Sequence, residues 1–413
     1  MGSTIDRTNT LSSDPKERGE VSHLYDVAIV GAGPGGSAAA YYLARQGLDV
    51  LLLDKSPFPR DKTCGDALTP GALHVLDDMQ LLDVVARVGY HINGTQIIAP
   101  NGYVLASTLP PKSGWPDYSM VLPRLTIDNM IREHAVAHGA KFEELVTVND
   151  ISVGERDAEI RGERDGHSVS FKARLVIVAT GANVSLLMRM GLLKKIPKMM
   201  LAARTYYEDI PNLDPSIQMH FGGIPLPGYG WVFPVSETSA NVGVGLCPVG
   251  LAAWWLHAKA RPVFDQFVKT PPLQKTLSGA KQAGPIKGYP LRMDFATAPT
   301  FGDRVLLIGE SAGLVNPLTG EGIDYALASG KLAAQHLIKM FETGNLSTQN
   351  LSGYDHILRE RFQKLFIFCN WTRDLLVNRP MLNYLVETAT HRPALKIMLM
   401  RIVLGHQINS DTV

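Results

Sequence analysis

The first strong pattern along the chain is an apolar run without polar alternation, Tyr25–Val30 (YDVAIV), the kind that forms a strand buried on both faces. It passes directly into Gly31-Ala-Gly33-Pro-Gly35-Gly36, after which small residues predict a helix from Ser37 to Gln46, ended by Gly47. A second buried strand is predicted over Asp49–Asp54, closing on an acid. Far downstream, Arg304–Ile308 repeats the buried-strand pattern. The turn Gly309-Glu310-Ser311-Ala312-Gly313 follows, then NPLTGEGI and a helix rich in Ala and Leu, with Pro317 and Thr319 as its start signal. Between about 186 and 285 the texture changes to short alternating stretches (MMLAARTYYEDI, SIQMHFGG, GWVFPVS, ANVGVGL), which predict antiparallel strands of a separate sheet. From about 345 the pattern is helical. Residues 1–23 are polar, lack an apolar segment and predict a disordered tail rather than a signal peptide.

Composition narrows the class. A chain of 413 residues, 45% hydrophobic and 19% charged, is an ordinary globular protein with room for more than one domain. A net charge of +1 implies no broad basic face for nucleic acid. The three cysteines (Cys64, Cys247, Cys369) form no CxxC pair, which argues against a disulfide framework or a zinc site and for a reducing, cytoplasmic setting. No run of 18 apolar residues exists, so nothing is expected to span a bilayer. Asp6 stands where a myristoylation signal needs Ser or Thr.

The glycine run has assignable chemistry. Gly31 permits the tight turn, Gly33 lets backbone approach a pyrophosphate, and Gly36 allows close helix–strand packing. The helix N-terminus offers free N–H groups and a positive dipole end to phosphates. Asp54, 23 positions after Gly31, is placed to accept ribose hydroxyls. A second such motif is not found downstream, which favours one tightly held FAD over a reductase with separate domains for two nucleotides. The late helix start at 317–323 would stabilise negative charge on a reduced flavin. Two other features carry chemistry. FPRDKTCGD (58–66) puts Cys64 in a charged loop, where Arg60 and Lys62 are expected to favour its thiolate. LPGYGWVFPV places Tyr229, Trp231 and Phe233 on one face of a strand, either as a core stripe or as an apolar wall over a flavin.

The pair of GAGPGG and GDRVLLIGESAGLVNPLTGEGI resembles the single-FAD flavoproteins that include aromatic hydroxylases, flavin halogenases and geranylgeranyl reductases. Within that group the chain is most similar to the geranylgeranyl reductase family, through RDKTCGDALTP (60–70), VLPRLTIDNMIREHAVAHGAKF (121–142), VIVATGANVS (176–185) and GYGWVFPVSETSANVGVG (228–245). The resemblance covers roughly 25–335. It implies an α/β fold: a Rossmann-type FAD-binding domain, glutathione-reductase-like or hydroxylase-like, built discontinuously from 24–95, 120–185 and 286–342. An antiparallel β-sheet substrate domain from 96–119 and 186–285 and a C-terminal helical region over 343–413 would complete it. It further implies that Gly31, Gly33, Gly36 and Asp54 hold the ADP half of FAD, that Arg60, Arg124, Gly181 and Glu310 complete the cofactor site, and that Gly320 and Gly322 lie by the isoalloxazine ring. Cys64, Tyr229 and Trp231 would be catalytic.

The implied activity is reduction of isolated C=C bonds of an isoprenoid by proton addition and hydride transfer. NADPH, another donor or an electron-donor protein would reduce the flavin. The alternative is an FAD-dependent monooxygenase or halogenase acting on an apolar or aromatic metabolite. Three departures stand out: Glu310 replaces the usual Asp, Thr180-Gly181 replaces an Asp-Gly pair near where a nicotinamide donor docks, and GYGWVFP departs from the halogenase pattern GWxWxIP. The last helical stretch, with Lys396 and Arg401 among Leu, Ile and Met, reads as a lid, as a peripheral membrane contact, or as plain core packing.

Overall fold

A computed structural model describes residues 23–92, 94–108, 114–247, 260–375 and 378–403. Apart from His23, the expected tail over 1–23 lies outside the described residues. The strand Leu24–Val30 pairs in parallel with Val50–Leu53 on one side and His167–Val178 on the other. Lys141–Glu143 and Val305–Leu307 extend the sheet outward, also in parallel. Val27–Val30 and Val50–Leu53 are buried throughout, which explains their unbroken apolar run: both faces pack into the core, so no position needs to be polar. The helix Pro34–Arg45 follows the first strand at once, with Gly33 as its N-cap and a proline at its first position.

A second sheet of seven strands runs in the order Lys281–Arg292, Met199–Glu208, Ala240–Leu246, Tyr229–Pro234, Ser216–His220, Gly94–Ile98, Val104–Thr108. The expected antiparallel arrangement holds except at one junction. Ser216–His220 and Gly94–Ile98 pair in parallel. Those strands are more than a hundred residues apart in the chain, and local alternation carries no information about such a partner. The strand Lys281–Arg292 also carries the sheet past residue 285. A small three-stranded sheet (Ala67–Leu68, Ser119–Val121, Tyr90–Ile92) lies where the chain passes from one sheet to the other.

The late helix begins at Ile323 with Gly322 as its N-cap, not at Pro317. Asn316 is the cause. Its side-chain carbonyl accepts from the N–H groups of Leu318 (2.9 Å) and Thr319 (3.3 Å), and its backbone closes onto Gly320 and Glu321, so residues 316–321 form a tight turn. Three C-terminal helices follow: Thr348–Leu375, Arg379–His391 and Pro393–Val403. The first seats Phe362 and Phe366 against Phe295 and Tyr325. The second buries Leu382, Val386 and Ala389 against Ile97 and Leu105. No described helix is long and apolar enough to cross a membrane.

Candidate active site

A cavity of about 490 Å³ opens at the carboxyl ends of the parallel strands and is walled on its far side by the second sheet. This is where open α/β sheets bind ligands. One end is a backbone cradle. Gly31 turns at φ +112° with its α-carbon tight against the Ala179 carbonyl, where a β-carbon would lie 2.3 Å from that oxygen. At Gly36 a β-carbon would lie 1.9 Å from the Gly31 oxygen, while Gly33 is open apart from the Arg60 guanidinium at 3.6 Å. The chain is thus pressed onto the sheet on one side and bare toward the cavity on the other. Asp54 is fixed beside it by the N–H of Ala32 (2.9 Å to Oδ2) and of Ser56 (2.9 Å to Oδ1). Bare backbone and a helix start that donate to phosphates, and a buried carboxylate that accepts from ribose hydroxyls, are what the ADP half of FAD requires.

The opposite end joins residues far apart in sequence. Glu310 accepts the backbone N–H of Arg292 at 3.0 Å and the Lys62 ammonium at 3.0 Å, with Gly181 packed under the pair. Lys62 also lies over the Tyr289 ring. Gly320 and Gly322 line the same cavity. Arg124 lines it too, but its guanidinium is committed: Nε and Nη2 donate to the two oxygens of buried Asp128 at 2.6 and 2.8 Å. Arg60 donates to the same carboxylate at 3.0 Å and lies 3.7 Å from Asp54.

Cys64 lies in the cavity wall, half-buried. Burial pushes its thiol up, opposed by the Arg124 cation beside it. The expectation of a thiolate favoured by Arg60 and Lys62 is therefore corrected. Those cations are paired with Asp128 and Glu310 instead. The loop is held by Asp66, whose Oδ2 accepts from Tyr206 Oη (2.5 Å) and Asn241 Nδ2 (2.7 Å), and whose Oδ1 accepts from the Arg124 backbone N–H (3.3 Å). Asn241 also donates to the Cys64 carbonyl (2.7 Å) and accepts from the Trp231 indole N–H (2.9 Å). Tyr229, Trp231 and Phe233 form the expected stripe, with successive ring centroids 6.1 and 6.0 Å apart. Gly65 packs directly onto it, since a β-carbon there would meet the Phe233 ring at 2.7 Å. Tyr229 donates its hydroxyl to the Thr319 carbonyl, which ties the aromatic wall to the Asn316 turn.

Burial pushes the Asp66 carboxyl up to about 6, against the opposing hydrogen bonds from Tyr206 and Asn241. Because it titrates above an unfolded aspartate in the folded protein, its stabilising contribution is complete below about pH 4 and is lost as pH rises through about 6. The change amounts to about 3 kcal/mol. Comparing thermal midpoints of the parent and Asp66→Asn between pH 4 and 7 should show the parent losing stability relative to the variant as pH rises. Parallel curves would refute the assignment.

Sequence reasoning missed the residues that organise the site. Asp66, Asn241, Tyr206 and Asp128 all act here, and so does Arg204, which is 2% exposed and donates to Asp61 at 2.5 Å. Glu321 was missed too; it accepts from Thr69 Oγ1 at 2.6 Å, and burial and the neighbouring Asp324 raise its carboxyl well above the ordinary range. Asp128 had a signal in its spacing, four residues after Arg124 in RLTID. Among the described residues no group of three or more His, Cys, Asp and Glu side chains is arranged for a metal.

One dinucleotide cradle leading into an apolar cavity that carries a cysteine defines a flavoprotein with a single FAD. The chain matches the FAD binding domain family over residues 24–368 and belongs to it; it is an FAD-dependent oxidoreductase of the geranylgeranyl-reductase-like kind. It is 34% identical over 352 residues to the menaquinone reductase of Mycolicibacterium smegmatis, covering 83% of this chain and 82% of that protein. It is 30% identical over 359 residues to the digeranylgeranylglycerophospholipid reductase of Thermoplasma acidophilum, covering 84% and 86%. The crystal structure of a geranylgeranyl bacteriochlorophyll reductase-like protein from that organism shares the fold at a TM-score of 0.80 and 24% identity, over 92% of this chain and 96% of that one.

Proposed function

We propose that the protein reduces isolated C=C bonds in the isoprenoid chain of a lipid. The observation that carries this reading is the cavity wall facing the cysteine loop. Tyr229, Trp231 and Phe233, with Met200, Met219 and Leu291, offer apolar and aromatic surface and almost no hydrogen-bonding groups. Two similar proteins are named for menaquinone and digeranylgeranylglycerophospholipid, both of which carry polyprenyl chains. Such an alkene is not activated, because hydride addition alone would leave an unstabilised carbanion. Proton addition places the developing charge on a tertiary carbon instead. Bound FAD, once reduced by NADPH or another donor, supplies the hydride.

The protein supplies the rest. The Cys64 S–H bond breaks as one new C–H bond forms, and the thiolate left behind is met by the Arg124 cation until solvent returns the proton. Aromatic faces steady the transient positive carbon by roughly 0.5–2 kcal/mol each. The apolar wall keeps out water that would trap the cation as an alcohol.

The test is anaerobic mixing of the reduced protein with a geranylgeranyl lipid, following flavin absorbance and product mass. Reoxidation with a saturated product is expected, slowed roughly 100-fold by Cys64→Ser. A flavin that stays reduced until air is admitted, with oxygen or halogen then gained by a substrate, would replace this reading with the monooxygenase or halogenase one.

A further inference from the structure

The apolar side chains left in water are not evenly spread. Among the described residues, seven of the seventeen large exposed ones fall between positions 367 and 398. Ile367, Trp371 and Leu375 recur every four residues along the helix Thr348–Leu375, while Phe362, Phe366 and Cys369 of the same helix are buried. This helix is therefore apolar on two sides, and among the described residues only one has a partner. Trp371 is 62% exposed, and Lys364 precedes the stripe at helical spacing. Met381 and Tyr384, the latter 70% exposed, are further exposed apolar side chains on Arg379–His391, as are Ile397 and Met398 on Pro393–Val403.

Charge says what this surface meets. The whole chain is nearly balanced, with 40 Lys and Arg against 39 Asp and Glu. Residues 361–403 carry seven basic residues and two acidic ones. Arg373 pairs with Asp374, but Arg361, Lys364, Arg379, Arg392, Lys396 and Arg401 form no ion pair among the described residues. A second copy docked through the same patch would set cations against cations, because a two-fold interface is self-complementary. An anionic lipid surface takes both features: Trp and Tyr sit at the headgroup level, and Lys and Arg lay their stems on the apolar boundary with their charges among the headgroups.

The patch also adjoins the site. Arg373 touches Met293 in the cavity-wall cluster (3.6 Å) and lies beside Cys247. Phe221 packs both on Tyr229, with centroids 6.0 Å apart, and on the cluster beneath the last two helices.

We propose that the helices Thr348–Leu375, Arg379–His391 and Pro393–Val403 dock the protein on an anionic lipid bilayer, with the apolar end of the cavity next to the membrane. The test is cosedimentation of the FAD-loaded protein with phosphatidylcholine vesicles with and without phosphatidylglycerol. Binding should be at least about tenfold tighter with phosphatidylglycerol and should weaken with salt. Ile367→Ser with Trp371→Ser should weaken it by about tenfold while flavin content and reduction are unchanged. Lys364→Gln, Arg379→Gln and Arg392→Gln together should abolish the phosphatidylglycerol preference. Equal binding to both vesicles, binding to neither, or variants that bind like the parent would overturn the proposal. So would light scattering, without lipid, of a dimer that the serine variant splits. Vesicle binding is read without substrate, and alkene reduction is read with substrate in detergent, so either idea can fail while the other stands.

Discussion

Gly36→Ala is expected to yield a protein that purifies without yellow colour and is less stable by about 1–3 kcal/mol. The added carbon would sit 1.9 Å from the Gly31 oxygen and 3.2 Å from the Ala179 side chain, so the helix Pro34–Arg45 has to lift off the strand Leu24–Val30. That shift carries the helix start and the bare face of Gly33 away from Asp54, and the phosphate cradle opens. Gly47→Ala is the control. It sits at φ +81° with nothing within 4 Å of its would-be β-carbon, so it pays only the backbone strain, about 1–2 kcal/mol, and keeps its flavin. Flavin content per protein and denaturation midpoints measure both. A yellow Gly36→Ala protein, or a colourless Gly47→Ala one, would disprove the account of the cradle.

The second large effect concerns Arg124. Its guanidinium and the Asp128 carboxylate are both buried, at 5% and 0% exposure, and share two short hydrogen bonds. Arg124→Met leaves Asp128 with Arg60 alone and should cost about 3–5 kcal/mol. Replacing both partners, Arg124→Met with Asp128→Leu, removes the charge that the single change strands, and most of the lost stability should return. Urea denaturation of the parent, both single variants and the pair gives the cycle. A double variant no better than Arg124→Met would show that the arginine acts through packing rather than charge.

The two halves of the site differed in how readable they were. GAGPGG, the strand before it and Asp54 lie within about thirty residues, so turn geometry and helix packing are dictated locally and survive in the string of letters. The aromatic stripe is equally local, because alternation alone puts Tyr229, Trp231 and Phe233 on one face. Asp66 and Asn241 are 175 residues apart, and Lys62 and Glu310 are 248 apart. Nothing in either segment names the other. Arg204 and Asn241 sit in apolar alternating strands where a polar residue is out of place, and that was the only trace of the network they build. The start of the late helix was misplaced for a similar reason. Pro317 and Thr319 are good starters, but the side chain of Asn316 claims the N–H groups on which a helix there would begin.

The amide of Asn241 has a consequence for inheritance. It grips the indole of Trp231 with its oxygen, and the Cys64 carbonyl and the Asp66 carboxylate with its nitrogen. A lineage that trades the indole for a smaller ring also frees one hand of this amide and slackens the loop that carries Cys64. Changes at 231, 241 and 66 are then not independent steps, and their order decides which descendants stay active. The wall and the loop are passed on together or rebuilt together.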